Sequence, residues 1–339
     1  VGPSVKIGLV APFEGRYRYI GYDVIYAARL AVREANANGG INGYTIQLVA
    51  YDDSGDADTA AGCVRKLGFD PLVVGAVGHF RADVTAKVGG EYRDAGLGLL
   101  SPASYARPHA PADWHLFQIA PTADRVADGV LDRVEAGGYA TTCILAQETA
   151  LAAAIQVAAR RRNVVIEPCA SLATSGYAAA IAAASPGSVI LDASPTAAGE
   201  AAWALHQAGW RGAIVGGHDL TATDYSAIAR DGARASCVTP WPLPREVPSG
   251  DAFASRYLEV SNGLPPGRLA MPAYEATWAL LEAIERSTLG GAAPSREGVL
   301  DALADTDRAG LLGTITFGDE RLWEDAPLHH CEVYAPAGN

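Results

Sequence analysis

A chain of 339 residues, 49% of them hydrophobic, is long enough for two domains with separate apolar cores and too apolar for disorder. Its formal charge is -12, and its only lysines are Lys6, Lys66 and Lys87, which argues against a nucleic-acid partner because phosphate-backbone binding relies on clustered basic residues. No apolar run reaches the length needed to span a bilayer, so a soluble chain is expected.

In chain order, Lys6-Ile7-Gly8-Leu9-Val10-Ala11 reads as a buried strand, and Val24, Ala27, Ala28, Ala31 and Ala35 recur at helical spacing. Asn38 and Gly39 tolerate the left-handed conformation that ends a helix, and Gly43 permits a tight turn before an apolar run that ends in Asp52 and Asp53. A strand, a crossover helix and a parallel strand therefore follow in order, and the two acids arrive at one rim of a sheet. Further strand-like runs occupy 72–77, 97–100, 142–145, 164–166, 189–191, 213–215 and 236–238, with helical stretches between most of them. That alternation predicts parallel sheets covered on both faces, with strands apolar throughout. Pro121-Thr122 and the proline-rich run from Pro240 to Gly250 mark boundaries, and helical periodicity resumes at Asp251.

Several chemistries lack their residues. The first strand-to-helix turn, Val10-Ala11-Pro12-Phe13-Glu14-Gly15-Arg16, has neither GxGxxG nor the P-loop pattern, and no GxSxG nucleophile elbow occurs. None of the seven histidines forms HExxH, and the adjacent His329 and His330 would point to opposite faces of a strand. The five cysteines, Cys63, Cys143, Cys169, Cys237 and Cys331, include no CxxC pair, so metal binding is not expected. Four lie in or beside strand-like runs, where small buried thiols are common, so core packing is the main expectation; neighbouring strands would also allow a Cys143–Cys169 disulfide. Without a nucleophile, cofactor motif or metal set, binding is expected and catalysis is not, with no cofactor.

Residues 39–53, together with Gly96-Leu97-Gly98-Leu99-Leu100-Ser101-Pro102-Ala103-Ser104, Leu116-Phe117-Gln118-Ile119-Ala120-Pro121-Thr122 and Tyr274-Glu275-Ala276, resemble in order the motifs of one family. It is the branched-chain amino acid type of substrate-binding protein, Leu/Ile/Val-binding-protein-like, the extracytoplasmic receptor of ABC importers. The resemblance implies an α/β fold of two doubly wound parallel-sheet lobes, periplasmic-binding-protein-like type I, with a ligand cleft between them and three crossover segments. The first lobe would combine 1–121 with 251–326 and the second 122–250 with 327–339. Ligands in open α/β sheets sit at the carboxyl ends of the strands, so strand-to-helix loops should build the site, and several connections permit hinge closure. The family's amino-terminal disulfide has no counterpart, because Gly55 and Arg81 occupy the aligned places.

The resemblance also selects candidate ligand contacts. Tyr19 is expected as a wall or lid. The loop of His79, Phe80, Arg81 and Ala82 aligns with a serine-rich loop that meets a ligand carboxylate; Ala82 removes a side-chain hydroxyl there, leaving backbone N–H groups to receive the anion. Ser104 and Tyr105 align near a second hydroxyl position, and a tyrosine offers a phenol or a stacking ring. From the second lobe come Glu148, Ser194, and His218 with Asp219, where an acid would take the ligand ammonium or neutral His218 would accept a hydrogen bond. Helix capping is an equal reading for Asp219. Tyr274 lies where a late helix would reach back toward the cleft.

These substitutions disfavour leucine, isoleucine and valine and suit an aromatic or modified solute. The expected protein is a monomer, periplasmic or a cell-surface lipoprotein with its signal peptide removed, whose partners are a small amino acid or aromatic carboxylate and a membrane ABC permease. The alternative is a ligand-sensing or regulatory module of the same fold, and a hydrolase lacks a catalytic constellation.

Overall fold

The computed structural model describes residues 2–37, 39–102, 115–147, 149–323 and 325–335. The chain forms two compact units, Val1–Pro121 with Trp241–Pro327, and Thr122–Pro240 with Leu328–Asn339. The return to the first unit falls at Trp241, earlier than the Asp251 expected from the resumption of helical periodicity. Trp241 is fixed within that unit, its Nε1 donating to the Pro102 carbonyl at 3.0 Å and its own carbonyl accepting from Arg268 at 2.9 Å.

The first unit opens with β1 (Ser4–Ala11), α1 (Arg18–Ala37), β2 (Thr45–Asp52), α2 (Ala57–Phe69), β3 (Val73–Val77), α3 (Ala82–Asp94), β4 (Gly98–Ser101) and β5 (Leu116–Gln118). Its sheet has the order β2-β1-β3-β4-β5, and every pair is parallel. Central β3 is buried at every position, as a strand covered on both faces must be. Edge strand β2 departs from that pattern: Ile46 is buried while Thr45 and Gln47 are exposed. The predicted face of α1 is the observed one, with Val24, Ala27, Ala28, Ala31 and Ala35 all buried. Gly39 and Gly43 take φ of 91° and 84°, the left-handed geometry their turn requires.

The second unit contains α4 (Ala123–Gly137), β6 (Thr142–Ala146), α5 (Ala150–Arg162), α6 (Tyr177–Ala184), β7 (Ser188–Asp192), α7 (Pro195–Gln207), β8 (Ala213–Gly216), α8 (Thr223–Ala229) and β9 (Ala235–Thr239). Thr122 and Thr149 cap α4 and α5 by accepting from Arg125 N and Ala152 N, and Gly138 and Asn163 end these helices in the left-handed conformation. The chain then returns to the first unit with α9 (Gly250–Val260), α10 (Ala270–Ser287), α11 (Arg296–Ala304) and a hairpin of β10 (Asp307–Gly310) and β11 (Gly313–Thr316). Fully buried Glu275 of α10 anchors this hairpin, accepting from Arg308 Nε at 2.9 Å and from Leu311 N at 3.0 Å.

The last strand, β12 (His329–Val333), joins the second sheet in the order β12-β9-β8-β7-β6. It runs antiparallel to β9, the one departure from parallel pairing in that sheet. A tail entering from the carboxyl end of the sheet can pair with an edge strand only in the reverse direction.

Two sequence expectations are corrected. Residues 164–166 form no strand; the segment meets β6 through a single bridge between Cys143 and Glu167 and through the bond from Cys169 to Cys143. Four cysteines are not core thiols: Cys143 bonds Cys169 and Cys237 bonds Cys331, with Cα separations of 5.4 and 4.9 Å, while Cys63 is a buried free thiol. The second pair was hidden in the sequence because the β9–β12 register, which sets Cys331 opposite Cys237, joins positions 94 residues apart. Among the described residues no helix is long and apolar enough to cross a membrane.

Candidate functional site

In both units the sheets end in loops that carry polar side chains at the carboxyl rim. In the first unit, Asp52 closes β2 and ties down the loop after β1. Its Oδ1 accepts from Phe13 N at 2.7 Å and Ser54 N at 2.9 Å, and Oδ2 from Ser54 Oγ at 2.8 Å. Burial pushes this carboxyl up, and the hydrogen bonds outweigh it and hold Asp52 below its ordinary value.

Asp53 does different work. It is 1% exposed, and its Oδ2 lies 2.5 Å from His79 Nδ1, whose Nε2 lies 3.1 Å from the Tyr92 hydroxyl. A carboxylate only accepts, so Nδ1 carries the proton donated to Asp53, and in neutral imidazole Nε2 then accepts from Tyr92. Both ring nitrogens of His79 are thus engaged inside the core. The His79 carbonyl also receives Thr85 Oγ1 at 3.2 Å and Ser101 Oγ at 3.3 Å, which fixes the turn between β3 and α3.

That turn presents the rim. His79 and Phe80 point inward, at 0% and 4% exposure, so the loop can meet a solute through its backbone and through Arg81 and Ala82. Arg81 lies 3.9 Å from the Tyr17 ring centroid and donates to Asp83 at 2.7 Å, while its buried Nε has no partner among the described residues. Ala82 begins α3, where the first backbone N–H groups of the helix point outward. Tyr19 stands in the first turn of α1 and is 55% exposed. Tyr274 is turned into a helix network, its hydroxyl donating to Glu34 at 2.6 Å and accepting from Arg256 at 3.2 Å; burial pushes it up to about 12. Ser104 and Tyr105 lie outside the described residues.

In the second unit, adjacent strands β7 and β8 deliver the expected residues to one rim. Ser194 precedes α7 and is exposed, its N donating to Gln147 Oε1 at 2.9 Å. His218 and Asp219 follow β8 in a short 3-10 turn, with Nε2 and Oδ1 3.6 Å apart. Burial holds His218 below its ordinary imidazole value against the opposing Asp219 charge, so it is neutral near pH 7. The side chain of Asp219 makes no cap, which removes the helix-capping reading. Glu148 lies outside the described residues.

Sequence reasoning missed Asp192 and Tyr17. Asp192 ends the fully buried β7, is 6% exposed, accepts a short hydrogen bond from Thr149 Oγ1, and is pushed up to about 6 by burial and by the Asp219 charge. An acid closing an otherwise apolar strand was the available signal. Nothing local distinguishes Tyr17 from Tyr19, because only the fold brings Arg81 over its ring. The second rim thus concentrates two carboxylates and a neutral imidazole, a set that pairs with an ammonium. Among the described residues no group of three His, Cys, Asp or Glu side chains is placed to hold a metal ion.

A family model described as periplasmic binding protein matches residues 4–332. The Leu/Ile/Val-binding protein of Escherichia coli K12 is 30% identical over 103 residues, a stretch that spans 30% of this chain and only 28% of that protein. In structure, the branched-chain amino acid transporter substrate-binding protein LivJ of Streptococcus pneumoniae, in complex with isoleucine, superposes with a TM-score of 0.82 at 20% identity, covering 98% of this chain and 100% of that one. An ABC transporter solute-binding protein of Rhodopseudomonas palustris, in complex with benzoate, gives 0.77 at 17% identity, covering 99% and 97%. The two parallel-sheet units are the fold these structures share with the chain.

Proposed function

The chain belongs to the periplasmic binding protein family, and from that premise we propose that it is the extracytoplasmic solute-binding protein of an ABC importer. Its ligand is a small amino acid or a related, aromatic carboxylate, captured with hinge closure and handed unchanged to a membrane permease. The observation that carries this reading is the polar chemistry that each unit carries at its own rim. The second unit supplies Asp192, His218 and Asp219 for an ammonium group. The first supplies the N-terminal amides of α3, with Arg81 beside them, for a carboxylate. Each charged end of a zwitterion must find a counter-group before it leaves water.

Ala82 offers no hydroxyl at the α3 terminus, and Arg81 and Tyr17 bring a guanidinium and a ring to the same rim. These features favour an aromatic acid over leucine, isoleucine or valine, and the benzoate-bound relative lends the class support. Two disulfides favour an oxidising location, periplasmic or at the cell surface as a lipoprotein. The working form is a monomer.

A ligand that binds the folded chain raises its melting temperature by mass action. A melting screen over amino acids, aromatic acids and their amides tests the class: a dose-dependent rise with at least one amino acid or carboxylate supports it, and a flat response across the panel rejects it.

A further inference from the structure

At the opposite, amino-terminal edge of the second sheet, where β8 begins at Ala213 and β9 at Ala235, the second unit carries a pocket of about 640 Å³ that is open to solvent on one side. Three arginines converge on it, Arg133, Arg211 and Arg234, against two carboxylates, Asp231 and Glu332. The excess is notable in a chain of net charge -12.

The three guanidinium groups are not equivalent. Arg133 is committed, donating to Ser236 Oγ through Nε at 2.8 Å and to Glu332 at 2.6 Å. Among the described residues Arg211 is anchored through one nitrogen only, Nη1 donating to the His206 and Trp210 carbonyls at 2.8 Å each, and meets no carboxylate. Arg234 forms no hydrogen bond or ion pair among the described residues. One wall is apolar and aromatic: Tyr139, Trp210 and Ile214 line it, and the Trp210 ring is held by its Nε1 bond to the Pro186 carbonyl at 3.0 Å. The volume falls within the range of small-molecule sites.

We propose that this cavity is a second binding site, for an organic oxyanion: a carboxylate or phosphate ester gripped by Arg211 and Arg234, with its apolar body against Trp210 and Tyr139. Planar guanidinium forks suit such groups because they donate two parallel hydrogen bonds to one oxyanion. Strands of four to five residues separate this edge from the carboxyl rim by roughly 13–17 Å, so a ligand here does not overlap the carboxyl rim.

Calorimetry on the full chain with phenyl phosphate, phenylacetate and inorganic phosphate tests the site, the first two arms separating a phosphate ester from a carboxylate. Saturable binding of phenyl phosphate or phenylacetate is expected, weakened about tenfold or more by Arg234→Gln and by Arg211→Gln, the loss of one charged hydrogen bond. Arg161→Gln, which removes an exposed charge from α5 of the same unit, should change it less than about twofold. The proposal is overturned if neither organic probe saturates, if inorganic phosphate binds as tightly as the organic probes, if Arg161→Gln matches the two cavity variants, or if an amino-acid ligand of the rim displaces the probe competitively.

Discussion

The Asp53 carboxylate and the His79 imidazole meet at 2.5 Å inside the first unit, with side-chain exposures of 2% and 0%. The pair ties the turn after β2 to the turn after β3, so two rim loops share one buried anchor. His79→Ala leaves the buried Asp53 carboxylate without its imidazole donor, and an unsatisfied buried charged group costs more than the ~1–3 kcal/mol of a neutral one. Urea unfolding should record that loss, with a smaller one of about 1–3 kcal/mol for Asp53→Asn, which keeps an acceptor for the ring. A His79→Ala protein as stable as the parent would show that the ring anchors nothing.

Buried carboxyls set a pH dependence of defined sign. Burial raises Asp192 and Asp23 from 3.8 to about 6, Asp23 while it accepts from Gly267 N and Leu269 N. From about pH 4 to pH 6 the folded chain keeps protons that the unfolded chain has released. The stability these groups contribute is therefore full below about pH 4 and is lost as pH rises through about 6, by at most about 3 kcal/mol each. Asp192→Asn should flatten the decline in urea-unfolding free energy across that window. An unchanged slope would exclude Asp192 as its source.

Asp219 is a third of the way exposed and free of capping duty, so its removal should spare the fold. Asp219→Ala is expected to weaken an amine-bearing ligand by about tenfold or more, since leaving a charged group unpaired in a binding site costs 2 kcal/mol or above. The same ligand without its amine should lose little. Equal affinity of parent and variant for the amine would reject the assigned role.

The Cys237–Cys331 bond fastens the tail strand β12 across 94 residues of chain. Replacing both cysteines by serine frees the unfolded chain of a long loop and should lower stability by about 2–4 kcal/mol. Amide exchange along β9 should accelerate in the same variant. Protection equal to the parent's would mean that strand pairing alone holds the tail.

Much of this architecture was legible in the residues, because buried parallel strands are short apolar runs and their helices carry an apolar face. The runs at 72–77, 189–191 and 213–215 became β3, β7 and β8. The run at 164–166 did not, since an apolar triplet at a sheet edge needs ladder bonds, and only one bridge forms there. The candidate sites were less legible. A loop position does not state which way its side chain turns: His79 and Tyr274 face partners in the core, and Arg81 finds Tyr17 from a distant stretch of sequence. Asp192 closes the apolar run 189–191 in the sequence, but its setting beside Thr149 and the Asp219 charge comes only with the fold.

The central claim, that the chain captures a solute and leaves it chemically unchanged, is met most directly by isothermal titration of the strongest melting-screen ligand with analysis of the recovered solute. One molecule bound per chain and quantitative recovery of the same compound is the predicted result. Absence of binding heat, or recovery of a converted product, would contradict it.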